Sequence, residues 1–334
     1  MSSTTPFRVA FVGAGHWHAP RYLASLKQLD ARVVAVWDPD FAVAERVSAT
    51  LNARTQRDLG ELLVTTRPDV IVGMGVHALM PGLLKTMLQV PAALILEKPL
   101  GIHARDLAPL VARVEKEKRF ATIAFVNRYT TIWRRWDELA QANRLGKPCY
   151  AHFRVINGSP QRYVRDGVGW VLDARQSGGG SLINLGTHTL DAFRRFTGEE
   201  VSVVSAQLGY RAHNRSVEDF SLAVLKSASG VIGSIESGYC YAGMSGGDQE
   251  WRLVTRNAYL IQDAKTCTVK TLDDDKLETT STISADEAYH RFIVDSLERL
   301  RRGDSPAITL RDGLHVLELV EEIYRLAGRQ DAGA

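Results

Sequence analysis

The sequence predicts an α/β protein: an N-terminal doubly wound parallel sheet, followed by a C-terminal α+β domain on a large, mostly antiparallel sheet. Up to about residue 125, short apolar runs alternate with stretches of helical periodicity, which is typical of parallel strands joined by helices. Beyond residue 200, strand-like runs follow one another with turn residues between them, which is typical of antiparallel pairing. We therefore predict two domains, residues 1–126 and 127–334.

The first strand, turn and helix are the most informative stretch of the chain. Phe7–Val12 is an apolar run with β-branched members, and Gly13-Ala14-Gly15 ends it. Apolar residues recur at three-to-four spacing over residues 20–29, so a helix follows the turn. Residues 33–37 form the second strand, which Asp38 ends. This order of strand, glycine turn, helix and acidic residue matches the dinucleotide-binding fingerprint of the Rossmann fold.

The same alternation continues through the N-terminal half. Each further strand is separated from the next by a helical stretch, so the strands are expected to lie parallel. The predicted strands are residues 70–72, 93–96 and 120–125, and the predicted helices are residues 42–51, 59–64, 80–89 and 105–118.

A different pattern begins after Asn127-Arg128-Tyr129. A helix over residues 132–143 and a strand over residues 149–157 precede a loop rich in Gly and Arg. Segment 178–196 begins with three glycines and becomes helical. Six strands then come as hairpins, with turn signals at Ser229-Gly230 and Arg256-Asn257, before two closing helices. The strands are 201–210, 220–226, 231–241, 251–256, 259–261 and 267–272, and the helices are 288–301 and 314–326.

Composition excludes several classes of protein. With 334 residues and 45% hydrophobic content, the chain can bury a large core. Its net charge is only +3, with Arg and Lys scattered, so it lacks the basic field that nucleic-acid binding requires. The three cysteines are widely spaced, which argues against a disulfide framework or a zinc site. No apolar run approaches membrane-spanning length and no export signal is recognisable, so we expect no membrane partner and a cytoplasmic location.

The parts of the fingerprint have separate tasks in binding a dinucleotide. Gly13 permits the tight turn, and Gly15 lets the backbone approach a pyrophosphate at the positive end of the helix. Asp38 stands where an acid that accepts a hydrogen bond from a ribose 2′-hydroxyl is expected. No Arg, Lys or Ser follows it to receive a 2′-phosphate, so NAD is favoured over NADP. His18 replaces the third glycine, and we expect the helix to pack slightly less closely on the strand.

Polar residues also follow two other predicted strands, at the sheet edge where open parallel sheets bind ligands. Gly75 and His77 come after strand 70–72, and Glu97 and Lys98 come after strand 93–96. A lysine there can donate to a substrate oxygen and stabilise charge that develops on it, while Glu97 can orient the lysine or contact the nicotinamide ribose. The alternatives are a histidine that only begins a helix and a surface ion pair. The predicted cofactor-binding residues are Gly13, Ala14, Gly15, His16, Trp17, Asp38, Gly75, His77, Glu97, Lys98 and Asn127.

Three polar side chains recur along the helical part of segment 178–196. Asn184, His188 and Asp191 are spaced four and three apart, so we expect them on one helical face. An unperturbed histidine titrates at about 6.5, so His188 can take or return a hydroxyl proton near neutral pH. Asn184 can hold a substrate hydroxyl, and Asp191 can fix the orientation of the imidazole. The alternative is a solvated helix face.

Together these motifs resemble the signatures of the glucose-fructose oxidoreductase, inositol dehydrogenase and MocA family, over nearly the whole chain. The resemblance implies that Lys98 and His188 are catalytic and that the hairpin-rich half provides the substrate and oligomerisation sheet. It also implies hydride transfer between NAD or NADP and a carbinol of a sugar, inositol or related polyol. The matching motifs are Gly13-Ala14-Gly15, Asp38, Glu97-Lys98-Pro99 and residues 178–191.

One departure from that family's pattern bears on the mechanism. Many members carry aspartate where this chain has Asn184, and in those members the carboxylate pairs with the histidine. Here His188 is expected to be less basic, so Asp191 or water must assist. Some members that act on nucleotide-linked sugars are similar in having asparagine there, so we interpret the change as variation.

Other polar residues allow two interpretations. Arg154, Arg162, Arg165 and Arg175 surround the loop before the three glycines, where they bind an anionic substrate group or, as we favour, form a solvated basic face. Trp170 caps the nicotinamide or substrate, or else belongs to the core. His16 and His18 are two residues apart at a helix start, which points them apart, so we predict no metal site.

The sequence thus predicts an NAD-dependent oxidoreductase that acts on a secondary hydroxyl or ketone of a sugar-like substrate. Because an uncovered face of the antiparallel sheet needs burial, we expect a homodimer or homotetramer through this sheet. Two alternatives remain: a glycosidase that oxidises its substrate transiently and regenerates NAD, and a non-catalytic regulator that senses the dinucleotide or a sugar. Net production of NADH distinguishes the dehydrogenase from both alternatives.

Overall fold

The structure is a computed structural model that describes residues 5–329, and it divides into two units. The first unit comprises the residues up to Ala124 together with Tyr289–Leu314. The second comprises Phe125–Ala288 together with the residues from His315 onward. No helix within residues 5–329 is both long enough and apolar enough to cross a membrane.

The first unit contains a five-stranded parallel sheet with strand order β2-β1-β3-β4-β5. All residues of β3 and β4 are buried, which explains why their sequences are continuous apolar runs without alternation. The order reverses between β1 and β3, the position where open parallel sheets bind ligands. The strands are β1 (Phe7–Val12), β2 (Ala31–Trp37), β3 (Val70–Gly73), β4 (Ala93–Leu96) and β5 (Ala121–Ile123).

Helices connect these strands, as the alternating pattern predicts. Asp40 and Asp58 cap two of them by accepting hydrogen bonds from the N–H groups of Ala42, at 3.0 Å, and Glu61, at 2.6 Å. These two side chains therefore mark the helix starts in the sequence. The helices are α1 (Ala19–Leu26), α2 (Phe41–Leu51), α3 (Leu59–Thr66), α4 (Met80–Met87) and α5 (Ala104–Lys116).

The second unit contains a mostly antiparallel sheet of eight strands, in the order β13-β12-β11-β10-β6-β9-β8-β7. Its helices are α6 (Thr131–Gln141), α7 (Gln161–Arg165), α8 (Ala174–Ser177) and α9 (Thr187–Thr197). The strands are β6 (Pro148–Gly158), β7 (Val201–Gly209), β8 (Phe220–Ser227), β9 (Ile232–Tyr241), β10 (Gly247–Thr255), β11 (Ala258–Gln262), β12 (Thr266–Thr271) and β13 (Asp274–Ser281). The chain continues through α10 (Ala285–Arg302) and α11 (Leu310–Leu326).

This sheet differs from the predicted run of hairpins in two respects. β6 pairs with β9 in parallel, because β6 is placed between β9 and β10 and splits what the sequence suggests is a hairpin. β13 was not predicted, because its sequence is rich in Asp, Lys, Glu and Thr. It lies at the edge of the sheet, where charged side chains face solvent and discourage further strand pairing.

Candidate active site

The glycine turn after β1 lies against the end of β2. Gly13 has a φ of +88°, and a Cβ there would lie 2.0 Å from the carbonyl oxygen of Met74, so only glycine fits. The N–H of Gly15 donates to Oδ2 of Asp38 at 2.7 Å. The turn and the acidic residue that the fingerprint pairs in sequence are therefore in direct contact.

Asp38 is fixed by the backbone on both sides. Its Oδ1 accepts a hydrogen bond from the N–H of Asp40 at 2.9 Å, while its Oδ2 accepts the bond from Gly15. The residue is 8% exposed, and burial raises the pKa of its carboxyl although both backbone hydrogen bonds oppose this. The protein thus fixes the orientation of the carboxylate. A fixed orientation suits a group that accepts a hydrogen bond from a ribose hydroxyl.

Three aromatic residues follow the two glycines. The His16 ring stacks on Trp17, with ring centroids 3.9 Å apart, and the N–H of His18 donates to Nδ1 of His16 at 3.2 Å. Because Nδ1 accepts, the neutral ring of His16 carries its proton on Nε2. Burial, with a smaller effect of His18, lowers the pKa of His16 well below its ordinary value. His77, the buried first residue of a short 3₁₀ turn after β3, contributes to the same lowering.

Glu97 and Lys98 follow β4 and are both buried. Lys98 is 3% exposed, and burial lowers the pKa of its amine from 10.5 to about 8, an effect that the charge of Glu97 opposes. Burial would raise the pKa of Glu97, but His18 and Lys98 hold it well below its usual range. Pro99 follows in a cis peptide bond. The alternative of a surface ion pair does not describe these residues, because neither is at the surface.

The carboxylate of Glu97 is surrounded by hydrogen-bond donors. Its Oε2 accepts from the hydroxyls of Tyr22, at 3.0 Å, and Tyr289, at 3.1 Å, and lies 3.1 Å from Nδ1 of His18. Its Oε1 accepts from the backbone N–H of Lys98 at 3.0 Å. We refer to His18, Tyr22, Glu97 and Tyr289 as the Glu97 cluster. All four belong to the first unit.

In the second unit, the glycine-rich segment leads into α9 through one turn of π-helix, Leu182–Gly186. A Cβ at Gly180 would lie 2.0 Å from the carbonyl oxygen of Glu218, which explains the glycine. Within residues 179–193, all of which the structure describes, His188 alone is not fully buried. Its ring meets that of Phe125 edge-on, with centroids 6.3 Å apart. π-Helical turns occur frequently at functional sites.

Asn184 is held inside the fold. Its Nδ2 donates to the hydroxyls of Tyr163, at 2.9 Å, and Tyr239, at 2.8 Å, and the hydroxyl of Tyr239 donates to the carbonyl oxygen of Gly180 at 3.2 Å. The amide of Asn184 thus links the loop before the three glycines to the π-helical turn. These contacts position Asn184 within the fold, whereas the sequence suggests a hydrogen bond to a substrate hydroxyl.

Asp191 forms a bidentate ion pair with Arg128. Nε and Nη2 of Arg128 donate to the two carboxylate oxygens at 2.8 and 2.5 Å. The pair is largely shielded from solvent, with side chains 11% and 3% exposed. Arg128 belongs to the 3₁₀ turn Val126–Tyr129, which also contains Asn127, so the pair fixes α9 to the segment that follows β5.

The remaining sequence candidates are more peripheral. Trp170 lies half-buried in the 3₁₀ turn Gly169–Leu172. Gly75 follows β3, and a Cβ there would lie 2.9 Å from a side-chain carbon of Leu83. Three of the four arginines around the loop before the three glycines pair with nearby acids, as expected of a solvated face: Arg154 with Asp248 and Glu250, Arg165 with Asp166, and Arg175 with Asp173. Arg162 lies over the ring of Tyr163.

The described residues also bear on metal binding. Across residues 5–329, no group of three or more His, Cys, Asp or Glu side chains is arranged to hold a metal ion. His16 and His18 are instead joined through the backbone N–H of His18.

Comparison with known proteins identifies the family. Residues 7–125 match an oxidoreductase family with an NAD-binding Rossmann fold, and residues 133–261 match the GFO/IDH/MocA C-terminal domain. The chain belongs to the Gfo/Idh/MocA oxidoreductase family. The family predicted from the motifs is thereby confirmed, as are the fold class and an NAD-binding Rossmann domain in the N-terminal half.

Named dehydrogenases are similar to this Gfo/Idh/MocA chain in sequence or in fold. An inositol 2-dehydrogenase of Arthrobacter sp. (strain FB24) is 26% identical over 241 residues, covering 70% of this chain and 67% of the relative. The fold is shared with an inositol dehydrogenase homologue complexed with NAD⁺ from Azotobacter vinelandii (TM-score 0.84, 16% identity, 98% and 97% of the two chains). It is also shared with a levoglucosan dehydrogenase in complex with NADH and L-sorbose (TM-score 0.86, 14% identity, 97% of each chain).

Sequence reasoning missed several residues of the candidate site. Tyr22 lies within the apolar spacing of residues 20–29, which indicates no polar role for it. His18 enters the sequence interpretation only as a replaced glycine and as a metal ligand that the spacing argues against. Tyr289 is 192 residues from Glu97 in the chain, so no local pattern connects them. Arg128 was noted only as part of the segment where the pattern changes, although a charged residue directly after a buried strand is a usable signal.

Proposed function

We propose that this member of the Gfo/Idh/MocA family is an NAD-dependent dehydrogenase that acts on a secondary hydroxyl, or the corresponding ketone, of a sugar, inositol or related polyol. The observation that carries the proposal is Lys98. A buried amine with a pKa of about 8 follows a strand of an NAD-binding sheet at its ligand-binding edge. Perturbed pKa values of buried groups are typical of catalytic sites.

The residues of the first unit suit a dinucleotide. The Gly13 turn lies so close to Met74 that it has no room for a side chain, and the Asp38 carboxylate is oriented beside it. We propose that the turn holds the pyrophosphate at the N-terminus of α1 and that Asp38 accepts the hydrogen bonds of the adenine ribose. The bound nucleotide supplies the hydride acceptor in oxidation and the hydride donor in reduction.

Asp38 also favours NAD over NADP. A 2′-phosphate would bring negative charge against this carboxylate, which the backbone holds beside the glycine turn. At a separation of about 4 Å and an effective dielectric of about 20, one pair of unit charges repels by about 4 kcal/mol. Screening reduces this value, but it leaves a clear preference for the unphosphorylated ribose.

Lys98 and His188 divide the proton chemistry in this proposal. His188 accepts the proton of the substrate hydroxyl during oxidation and returns it during reduction, which suits a partly exposed imidazole on an otherwise buried segment. Lys98 donates a hydrogen bond to the reacting oxygen and stabilises the charge that develops on it. Asn184 positions the turn before His188, and Arg128 with Asp191 fixes the helix that carries it.

Replacement of Lys98 tests the proposal. With Lys98→Met, we expect NADH formation from NAD and inositol, or from the best substrate of a panel of aldoses and ketoses, to fall at least about a hundredfold. NAD affinity should stay within about tenfold, because the amine acts mainly on the transition state. Absorbance of NADH measures turnover, and titration calorimetry measures affinity.

Lys85→Met is the matched control, because Lys85 is an exposed lysine on α4 and its replacement should change neither quantity. Unchanged turnover of Lys98→Met would remove Lys98 from the mechanism. Tight NAD binding without NADH formation from any polyol would favour the regulator, and glycoside cleavage without net NADH would favour the glycosidase.

A further inference from the structure

We propose that His18, Tyr22 and Tyr289 are positioning residues that hold Glu97 as a buried carboxylate against Lys98, and that this cluster sets the protonation of the proposed catalytic amine. The inference rests on the proposed function and deepens it. It assigns a task to His18, which stands where the fingerprint has its third glycine, and to a tyrosine from the distant helix α10.

The geometry assigns the protons within the cluster. A carboxylate oxygen only accepts, so the hydroxyls of Tyr22 and Tyr289 must both donate to Oε2 of Glu97. The Tyr289 oxygen also lies 2.8 Å from Nδ1 of His18. Since the proton of Tyr289 is already directed at Glu97, Nδ1 of His18 must carry a proton, which it shares between the tyrosine oxygen and the carboxylate. With the backbone N–H of Lys98, four donors surround one carboxylate.

Such an arrangement is not what packing alone requires. Tyr22, Glu97 and Tyr289 are almost completely buried, and burying a carboxylate is costly unless donors satisfy it. Apolar side chains of similar volume would fill the same space without that cost. The benefit is a fixed negative charge beside Lys98: burial drives the amine toward its neutral form, and Glu97 restores part of its affinity for a proton.

Other charged and titratable groups of the first unit act on Lys98 or on the residues around it. His16 and His18, from the turn after β1, both interact electrostatically with Lys98. Arg21 on α1 acts on His18 and Tyr289, and His77 after β3 acts on His16. Burial lowers the pKa values of His16 and His18, so these rings carry less of the positive charge that would favour loss of the proton from Lys98. Glu97 opposes that loss.

The titration of Lys98 can be followed without substrate, through the pH dependence of folding stability. In the folded protein the pKa of Lys98 is about 8, against 10.5 for an ordinary lysine. Between these values the unfolded chain binds more protons than the folded one, so the stability relative to Lys98→Met rises with pH. Below about pH 8 the full penalty of the buried charge is present, and above about pH 10.5 it is relieved. The pH at which the rise begins therefore reports the pKa of Lys98.

The experiment measures urea midpoints from about pH 6.5 to about pH 10.5, each relative to the same variant carrying Lys98→Met. In Glu97→Gln, we expect the rise to begin about one pH unit lower, because the charge of Glu97 raises the pKa of Lys98 and is lost in this variant. The double variant Tyr22→Phe with Tyr289→Phe should shift the rise in the same direction. Tyr289→Phe alone and His18→Asn should give smaller shifts. These single variants replace the double variant in the experiment if it does not fold.

Tyr324→Phe is the matched control, because the hydroxyl of Tyr324 donates at 2.9 Å to another fully buried glutamate, Glu218, in the second unit. Tyr324→Phe should lower the urea midpoint without changing the pH at which stability begins to rise. If the variants of Tyr22, Tyr289 and His18 lower the midpoint equally at all pH values and leave the rise in place, these residues only support the fold and the inference is wrong.

The stability measurement distinguishes failure of this inference from failure of the proposed function. If the chain reduces no NAD with any polyol, the stability measurement still reports whether the cluster controls Lys98. If NAD is reduced, the pH profile of turnover with inositol should shift in Glu97→Gln and in the tyrosine double variant in the same direction as the stability curve.

Discussion

At the scale of single residues, exclusion of solvent determines the protonation of the polar groups that follow β2 and β4. Asp38, Glu97 and Lys98 are each less than a tenth exposed. Burial shifts their pKa values in the direction of the neutral form, and only specific partners counteract it. The same residue types on the surface would keep their ordinary pKa values and would make weak ion pairs.

Asp38 offers a residue-scale test of nucleotide selectivity. In Asp38→Asn the negative charge is lost, while the amide oxygen can still accept the hydrogen bond from Gly15. We expect affinity for NADP to rise at least about tenfold relative to NAD, within the limit of about a thousandfold set by a repulsion of about 4 kcal/mol. Fluorescence titration with both nucleotides measures the ratio.

Asp40→Asn is the control for this test, because it removes the same charge two residues away at an exposed helix cap, where asparagine caps equally well. An unchanged ratio of affinities in Asp38→Asn, with both nucleotides still bound, would show that this carboxylate does not select against the 2′-phosphate.

At the scale of elements, the arrangement around His188 depends on how α9 is held. The π-helical turn Leu182–Gly186 breaks the regular spacing of the preceding segment, so Asn184 is directed to tyrosines of the interior while His188 stays partly exposed. One turn later, Asp191 pairs with Arg128. Spacing rules for an ideal helix do not describe such a segment.

The Arg128–Asp191 pair should be costly to break from one side. We expect Asp191→Asn to lower the free energy of unfolding by about 3–5 kcal/mol, because it leaves a buried guanidinium without its charge partner. The double variant Arg128→Met with Asp191→Leu should cost less than this single change. Urea unfolding followed by circular dichroism measures both.

A second ion pair on α9 provides an exposed comparison for the Arg128–Asp191 pair. Arg195 on α9 pairs with Asp137 on α6, but this pair is exposed, with side chains 25% and 53% accessible. Asp137→Asn should therefore cost no more than about 1 kcal/mol. If the two asparagine variants proved equally destabilised, burial would not be what distinguishes the pairs.

At the scale of the whole molecule, the chain passes between its two units three times. The first unit contains Tyr289–Leu314 in addition to the N-terminal segment. Phe292, Ile293 and Ile308 from this stretch are almost completely buried, and Thr309 forms a β-bridge with Thr122 of β5. Residues far apart in sequence therefore complete the core that surrounds the parallel sheet.

A polypeptide of residues 1–126 tests how far the first domain depends on that stretch. We expect this fragment to be unstable, because it exposes the apolar surface that Tyr289–Leu314 covers. A peptide of residues 285–314 added in trans should raise its thermal midpoint, measured by circular dichroism. A cooperative transition of the fragment alone, unaffected by the peptide, would show that residues 1–126 are an independent domain, as the sequence predicts.

Much of the fold was predictable from local patterns. β4 was placed at its observed bounds, and β3 within one residue, because buried parallel strands are continuous apolar runs between helices. The turn of Gly13, the acid Asp38 and the Glu97-Lys98 pair were recognisable from sequence for a related reason. Each stands directly after a strand, where the parallel sheet places ligand-binding groups.

Other features could not be predicted from local patterns, because the residues that form them are distant from each other in the chain. Pairing of β6 with β9, the contact of Tyr289 with Glu97, and the pairing of Arg128 with Asp191 join residues that no short-range period connects. β13 lacks an apolar pattern because it is an edge strand, and side chains there need not be buried.

The sequence by itself determined the order of elements, the dinucleotide-binding turn and the side chains available for chemistry, since these follow from local periodicity and turn geometry. Only the tertiary structure decided the state of those side chains. The pKa of a lysine, the charge of a glutamate and the exposure of a histidine depend on which groups exclude water from them and which donate to them. Those groups come from elements that are adjacent in space and remote in sequence.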